Sequence, residues 1–189
     1  MTKAELRKAY KEKRSRLSSP EVEKFTDLIL IHFQQIRFPF ISYVHSYIAS
    51  EKLREPDTSA VTRYLLFKNP GLKIVVPKID ITSGDMQHFH FNDELELVNN
   101  VYVIAEPSGG ETIAAAIIDL VLVPLLAFDT RGYRVGYGKG YYDRFLSECR
   151  PDAIKVGLSF FEPEDQIDDL NQFDIPLNYC VTPQQVFQF

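Results

Sequence analysis

Residues 122–146 read LVPLLAFDTRGYRVGYGKGYYDRFL. An apolar run from Ile117 to Pro124 leads into a glycine-rich basic loop and then into Tyr141-Tyr142-Asp143. Branched apolar residues in such density predict a strand buried on both faces of a mostly parallel sheet, with the loop leaving its carboxyl end. Gly132, Gly136, Gly138 and Gly140 permit positive φ and let amide N–H groups close on an anion with no Cβ in the way. Arg131, Arg134 and Lys139 stand among them. From about Gly140 the string YYDRFLSEC has helical spacing, which sets the positive end of a helix dipole at the loop. A polyphosphate would there meet amides, a dipole and fixed cations together. Lys139 is followed by Gly140 and not by Ser or Thr, so this is not a Walker-type loop. Asp143 is instead the candidate for a hard cation that bridges phosphates and needs only one or two protein carboxylates. The plainer reading is a glycine-rich turn with solvated charges. Local charge argues against it: the chain carries a net charge of −5, yet residues 125–150 hold five basic side chains against three acidic.

The rest of the chain is consistent with one α/β domain spanning residues 1–189. With 45% apolar residues it can bury one sizeable core, and no second domain is required. No apolar run approaches the 18 or so residues of a membrane span, and no secretory leader is evident, so a cytoplasmic protein without membrane contact is expected. Cys149 and Cys180 are too sparse for a disulfide framework or zinc site. A pI near 5.4 argues against a general nucleic-acid binder. Ten tyrosines and fourteen phenylalanines, with no tryptophan, supply surface for a planar ligand.

Helix and strand signals alternate, the pattern of a layered α/β fold. Thr2 with Glu5 and Ser18 with Glu21 form capping boxes for helices reaching about Leu17 and Ile36. Strands are expected at Ile41–Ile48, Lys73–Ile79, Met86–Phe91, Asn99–Ala105, Ala153–Phe161 and Cys180–Thr182, with a helix from about Asp57 to Phe67 and a polar turn at Ile81–Asp85. Lys3, Arg7, Lys11 and Arg14 recur at helical spacing as one cationic stripe, for which a solvated face is the default reading. In Ser50–Val61, Asp57 or Thr58 reads first as a helix cap. His88 and His90 share a strand face at period two; with no third ligand nearby they read as packing or surface residues.

FDTRGYRVGYGKGYYDRFL closely resembles the signature of the 5-formyltetrahydrofolate cyclo-ligase family, with Pro124, Ala127, Phe128, Asp129, Gly132, Arg134, Gly136, Gly138, Gly140, Tyr141, Tyr142 and Asp143 in register. Leu125 and Val135 depart from the Gly and Leu usual there. The resemblance implies a three-layer α/β/α fold similar to NagB/RpiA/CoA-transferase-like proteins. It implies ATP-dependent closure of 5-formyltetrahydrofolate to 5,10-methenyltetrahydrofolate, with ADP and phosphate released. ATP would be bound by Lys3, Arg7, Arg134, Gly136, Gly138, Lys139, Gly140, Tyr141 and Tyr142, with Lys139 and Arg134 as the catalytic cations; the Tyr141 ring also reads as a core aromatic. Glu55 or Asp57 would accept adjacent pterin N–H groups, and Tyr47, Tyr137 and Tyr142 would face the folate. Asp143 and Asp174 would hold Mg²⁺, although Asp174 reads equally as a turn carboxylate before Pro176, and Asn178 departs from the family's Asp. A monomer is expected. Two alternatives stay open: a catalytically silent folate- or nucleotide-binding protein, and a sugar-phosphate isomerase-like relative of the same architecture.

Overall fold

The computed structural model describes residues 1–80, 82–100 and 105–189. Both capping boxes form, Thr2 with Glu5 ahead of α1 (Lys3–Ser15) and Ser18 with Glu21 ahead of α2 (Ser19–Phe33). Pro20 lies in the first turn of α2, where a missing N–H costs nothing. Then come β1 (Tyr43–His45), α3 (Ser59–Lys68), β2 (Lys73–Ile79), β3 (Met86–Phe91), β4 (Leu97–Asn99) and β5 (Ala105–Pro107). A 3₁₀ turn at Ala115–Ile117 precedes β6 (Leu120–Val123), β7 (Ala127–Phe128), β8 (Arg134–Val135), α4 (Tyr141–Glu148), β9 (Ile154–Leu158), β10 (Tyr179–Val181) and β11 (Val186–Gln188).

Seven strands form the main sheet in the order β11-β10-β9-β6-β1-β2-β3. The inner five are mutually parallel, and β3 and β11 add antiparallel edges. Side chains alternate across β6. Leu120 and Leu122 join a core with Ile29 and Phe33 of α2 and Val61 and Leu65 of α3. Val121 and Val123 face the other way, onto Phe145 and Leu146 of α4. That two-sided burial is why β6 is apolar at every position, each such side chain contributing about 1.5–3 kcal/mol, and it makes the molecule a three-layer α/β/α sandwich. α1 stands apart from these layers and packs Leu6 and Tyr10 on Leu126, Ala127, Val135 and Ile167.

From β1 the chain proceeds through α3 to β2 on one side, whereas β6 leads through α4 to β9 on the other. The carboxyl ends of β1 and β6 therefore flank a switch point, where open α/β sheets bind ligands.

β1, β6 and β9 are shorter than their apolar runs predict, β1 covering Tyr43–His45 within the expected Ile41–Ile48. The expected strand at Asn99–Ala105 falls largely on residues 101–104, outside the described residues, as does Ile81 of the expected turn. The β7–β8 hairpin inside the signature has no strand-like pattern. It is organised by Asp129, fully buried, whose carboxylate accepts the backbone N–H groups of Arg131, Tyr133 and Ile167 and pairs with the Arg131 guanidinium.

The departure from the family pattern at Leu125 has a structural explanation away from the loop, and that at Asn178 has none. The Leu125 side chain occupies space that a Cβ on Gly157 would enter at 2.5 Å, so Leu at one position is matched by Gly at the other. The Asn178 side chain accepts the Lys155 N–H while its backbone carbonyl accepts the Phe189 N–H, tying β9 to the C-terminal strand.

Candidate active site

At the switch point lies a cleft of about 800 Å³. Its walls come from the segment after β1, the end of β2, the β8–α4 loop, the exposed side of α1 and the Asn171–Asp174 turn. Of the residues expected at the site, all but Asp57 line it.

The loop forms one end. Gly138 and Gly140 have φ of +96° and +71°, and Gly140 is the N-cap of α4, so the first-turn amides carry no side-chain cap. A Cβ on Gly138 would come within 3.1 Å of the Arg7 guanidinium, whose Nε donates to the Gly136 carbonyl at 3.0 Å. Arg7 thus braces the loop from α1. The Lys139 ammonium is exposed and has no partner among the described residues.

Arg134 and Lys3 are placed differently. The Arg134 side chain is 5% exposed, donates to Asp143 at 2.8 Å and also donates to the Ile175 carbonyl. Burial lowers its pKa from the ordinary arginine value, and the Asp143 charge opposes that. Lys3 contacts both oxygens of Asp174, at 2.6 and 2.5 Å, with both side chains nearly enclosed. The two carboxylates expected to hold a metal are each paired with a cation, and the Ile175 N–H reaches Asp143 at 3.4 Å. Their hard oxygens suit a magnesium ion that arrives on phosphates and takes one or two carboxylates. Among the described residues no group of three or more His, Cys, Asp or Glu is arranged to hold a metal by itself.

At the opposite end, Glu55 accepts the Tyr137 hydroxyl at 2.6 Å and the Ser50 N–H at 2.9 Å. Burial and the Glu55 charge push the Tyr137 hydroxyl's pKa up. Asp57, two residues on, is exposed and turned away, its carboxylate accepting the Ser59 N–H and hydroxyl at the start of α3. The capping reading holds for Asp57; Glu55 is the carboxylate in the cleft.

The tyrosines also sort themselves. Tyr47 belongs to the core, with its hydroxyl donating to the Pro56 carbonyl. Tyr142 is half-buried against the core beneath α4, with a buried hydroxyl that has no hydrogen-bond partner among the described residues. Tyr141, read from the sequence as a core aromatic, is half-buried at the cleft with the Arg144 guanidinium 5.4 Å from its ring centre. Beneath α4, His45 and His88 pack on Phe145 with ring centres 4.5 and 4.2 Å away. Burial holds His45 well below the ordinary histidine pKa and lowers His88 to about 4. His90 instead pairs with Glu111 at the surface, so the two histidines form no metal pair.

The cationic stripe of α1 is only partly a solvated face. Lys3, Arg7 and Lys11 line the cleft, with Lys3 and Arg7 bonded to protein and Lys11 exposed, and Arg14 is buried behind it. The helical spacing of the four was legible; the direction in which they face was not. Lys52, also in the cleft, carried no sequence signal.

The signature loop and the α1 cations thus meet over one cleft at the strand ends, and the model of the 5-formyltetrahydrofolate cyclo-ligase family matches residues 1–183. The chain belongs to this family. It is 31% identical over 163 residues to the mitochondrial 5-formyltetrahydrofolate cyclo-ligase of Arabidopsis thaliana, covering 75% of this chain and 59% of that protein. It is 38% identical over 64 residues to the 5-formyltetrahydrofolate cyclo-ligase of Mycoplasma genitalium, covering 33% of this chain and 39% of that one. The chain therefore spans about three-fifths or less of the length of these relatives. An NMR structure of Aquifex aeolicus 5,10-methenyltetrahydrofolate synthetase superposes with a TM-score of 0.81 at 28% identity, covering all of this chain and 93% of its own.

Proposed function

We propose that this chain is an ATP-dependent ligase of one-carbon metabolism, converting 5-formyltetrahydrofolate to 5,10-methenyltetrahydrofolate with release of ADP and phosphate. The observation that carries this reading is the cleft itself. A free lysine on a glycine loop at a helix N-terminus stands at one end, and a carboxylate with unused lone pairs stands at the other.

The reaction needs no nucleophile from the protein. The formyl oxygen attacks the γ-phosphorus of ATP and ADP leaves. N10 then attacks the formyl carbon, the C–O bond breaks, phosphate departs and N10 loses its proton. What remains for the protein is alignment and neutralisation of phosphate charge, which together supply most of the catalysis in phosphoryl transfer. Lys139 supplies the uncommitted positive charge, and the uncapped amides of α4 add to it. Arg7 holds the loop in shape. Arg134, nearly enclosed and donating to Asp143 and to the Ile175 carbonyl, orients Asp143. Asp143 and Asp174 would hold a magnesium ion brought in with ATP, which supplies charge neutralisation between phosphates. Glu55, ionised, has lone pairs left for the adjacent N–H donors of a reduced pterin. Cys149 and Cys180 are both free, in keeping with a reducing compartment such as the cytoplasm. Among the described residues no helix is long and apolar enough to cross a membrane.

The test mixes purified protein with MgATP and 5-formyltetrahydrofolate and follows the absorbance of the conjugated methenyl product, omitting ATP as control. An ATP-dependent rise is expected. Folded protein that gives none overturns the reading.

A further inference from the structure

Arg14 is 3% exposed, yet no carboxylate lies within ion-pair distance of it among the described residues. A buried guanidinium without counter-charge is strongly disfavoured, so its compensation has to be found. One of its terminal nitrogens donates to the Leu125 carbonyl at the end of β6, and the other donates to the Tyr137 hydroxyl at 3.1 Å. That hydroxyl donates in turn to Glu55 at 2.6 Å. The direction of both bonds is fixed by chemistry: arginine can only donate, an ionised carboxylate can only accept, and the phenol does one of each. Three segments that are remote in sequence, α1, the loop after β1 and the signature loop, are joined by a neutralised chain of charge, dipole and charge.

We propose that Arg14 is a positioning residue for substrate selection, acting through the Tyr137 hydroxyl to fix the orientation of Glu55 with its unused lone pairs directed into the cleft. This rests on the proposed function, in which Glu55 accepts two N–H donors of a planar heterocycle. Tyr137 and Ser50 occupy one acceptor site on each Glu55 oxygen, which leaves the carboxylate able to take a bidentate donor pair without turning. The other titratable groups that feel the Glu55 charge are the buried hydroxyls of Tyr47 and Tyr142, both kept neutral by burial. Arg14 is accordingly the fixed cation behind Glu55, and its anchor on the Leu125 carbonyl ties it to the strand at the switch point.

The experiment compares wild type with Arg14→Met, Arg14→Lys and Tyr137→Phe, measuring KM for 5-formyltetrahydrofolate and for ATP, with circular dichroism to confirm folding. Arg14→Met should raise the folate KM by roughly ten- to a hundredfold, the range of a hydrogen bond to a charged group, and leave the ATP KM within about twofold. Arg14→Lys should restore part of the folate affinity. Tyr137→Phe should raise the folate KM selectively as well. In a Glu55→Gln background Arg14→Met should add little further. A folded Arg14→Met enzyme with an unchanged folate KM overturns the proposal, as does an equal rise in both KM values. If Arg14→Met does not fold, Tyr137→Phe and Arg14→Lys decide by the same two readouts. Wild-type protein that forms no methenyl product overturns the proposed function instead, so the two failures are separable.

Discussion

The two ends of the cleft are built in opposite ways. At the loop end the glycine loop itself is contiguous, running from Arg134 to Asp143 with Arg7 and Asp174 added from elsewhere, and Lys139 is exposed and held by nothing among the described residues. At the Glu55 end the groups are Arg14, Glu55 and Tyr137, scattered along the chain, mostly enclosed and hydrogen-bonded to one another. A flexible polyphosphate can be met by amides and a mobile charge. A flat heterocycle with a fixed donor pattern requires an acceptor that does not turn, and such an acceptor must be braced from behind.

The largest effect is expected where charge is free. Lys139→Ala should lower kcat/KM by roughly 10²–10³-fold, the scale of losing one donor to developing charge. The melting temperature should be unchanged within about 1 °C, because the side chain is exposed and makes no hydrogen bond or ion pair among the described residues. Full activity in a folded variant would remove Lys139 from the loop end's chemistry.

Asp143→Asn asks whether the loop end's carboxylate serves a metal or only its arginine. The magnesium concentration for half-maximal rate should rise by roughly tenfold, since a hard cation loses a charged oxygen ligand. Stability should fall too, by about 1–3 kcal/mol, because the nearly enclosed Arg134 guanidinium loses a charged acceptor. A stability loss with unchanged magnesium dependence would make Asp143 a structural partner alone.

The loop end leads into α4, and α4 packs through Phe145 on His45 and His88. Their folded pKa values lie below the unfolded value near 6.5, for His88 at about 4, so the unfolded chain binds more protons in that interval. The histidine contribution to stability is therefore fully present above about pH 6.5 and is lost as pH falls toward about 4, below which the His88 contribution changes no further. Melting temperatures at pH 7, 5.5 and 4.5 should decline in that order, and His88→Leu should show a shallower decline. An equal slope in the variant would locate the acid sensitivity elsewhere.

The same contrast explains what the sequence disclosed. The apolar run into the glycine loop, the two capping boxes and the β2 and β3 strands, which match their predicted limits, are local patterns in which neighbours in sequence determine structure. Asp129 stood in the signature with no role read for it and is a buried hub, because the donors that occupy it include Ile167 from a segment 38 residues away. Arg14 stood in a legible stripe, but whether that stripe faces water or protein depends on where α1 docks, which no local period encodes. Leu125 was a departure with no local reason, and its reason is the missing Cβ of Gly157.

Asp57 gives the smallest expected effect and the finest test of the comparison. Glu55 and Asp57 are two residues apart, carry the same charge and were equally eligible from sequence to bind the heterocycle. The fold divides them: one carboxylate is bonded to Tyr137 and faces the cleft, and the other is bonded to Ser59 and faces solvent. Asp57→Ala should cost about 1 kcal/mol or less, as for loss of a helix cap, visible as a small drop in melting temperature. The KM for 5-formyltetrahydrofolate should not change, whereas Glu55→Gln should raise it at least roughly tenfold, through loss of a charged acceptor. A matching KM rise in Asp57→Ala would mean that proximity in sequence, and not the bracing from Arg14 and Tyr137, determines which carboxylate the ligand meets.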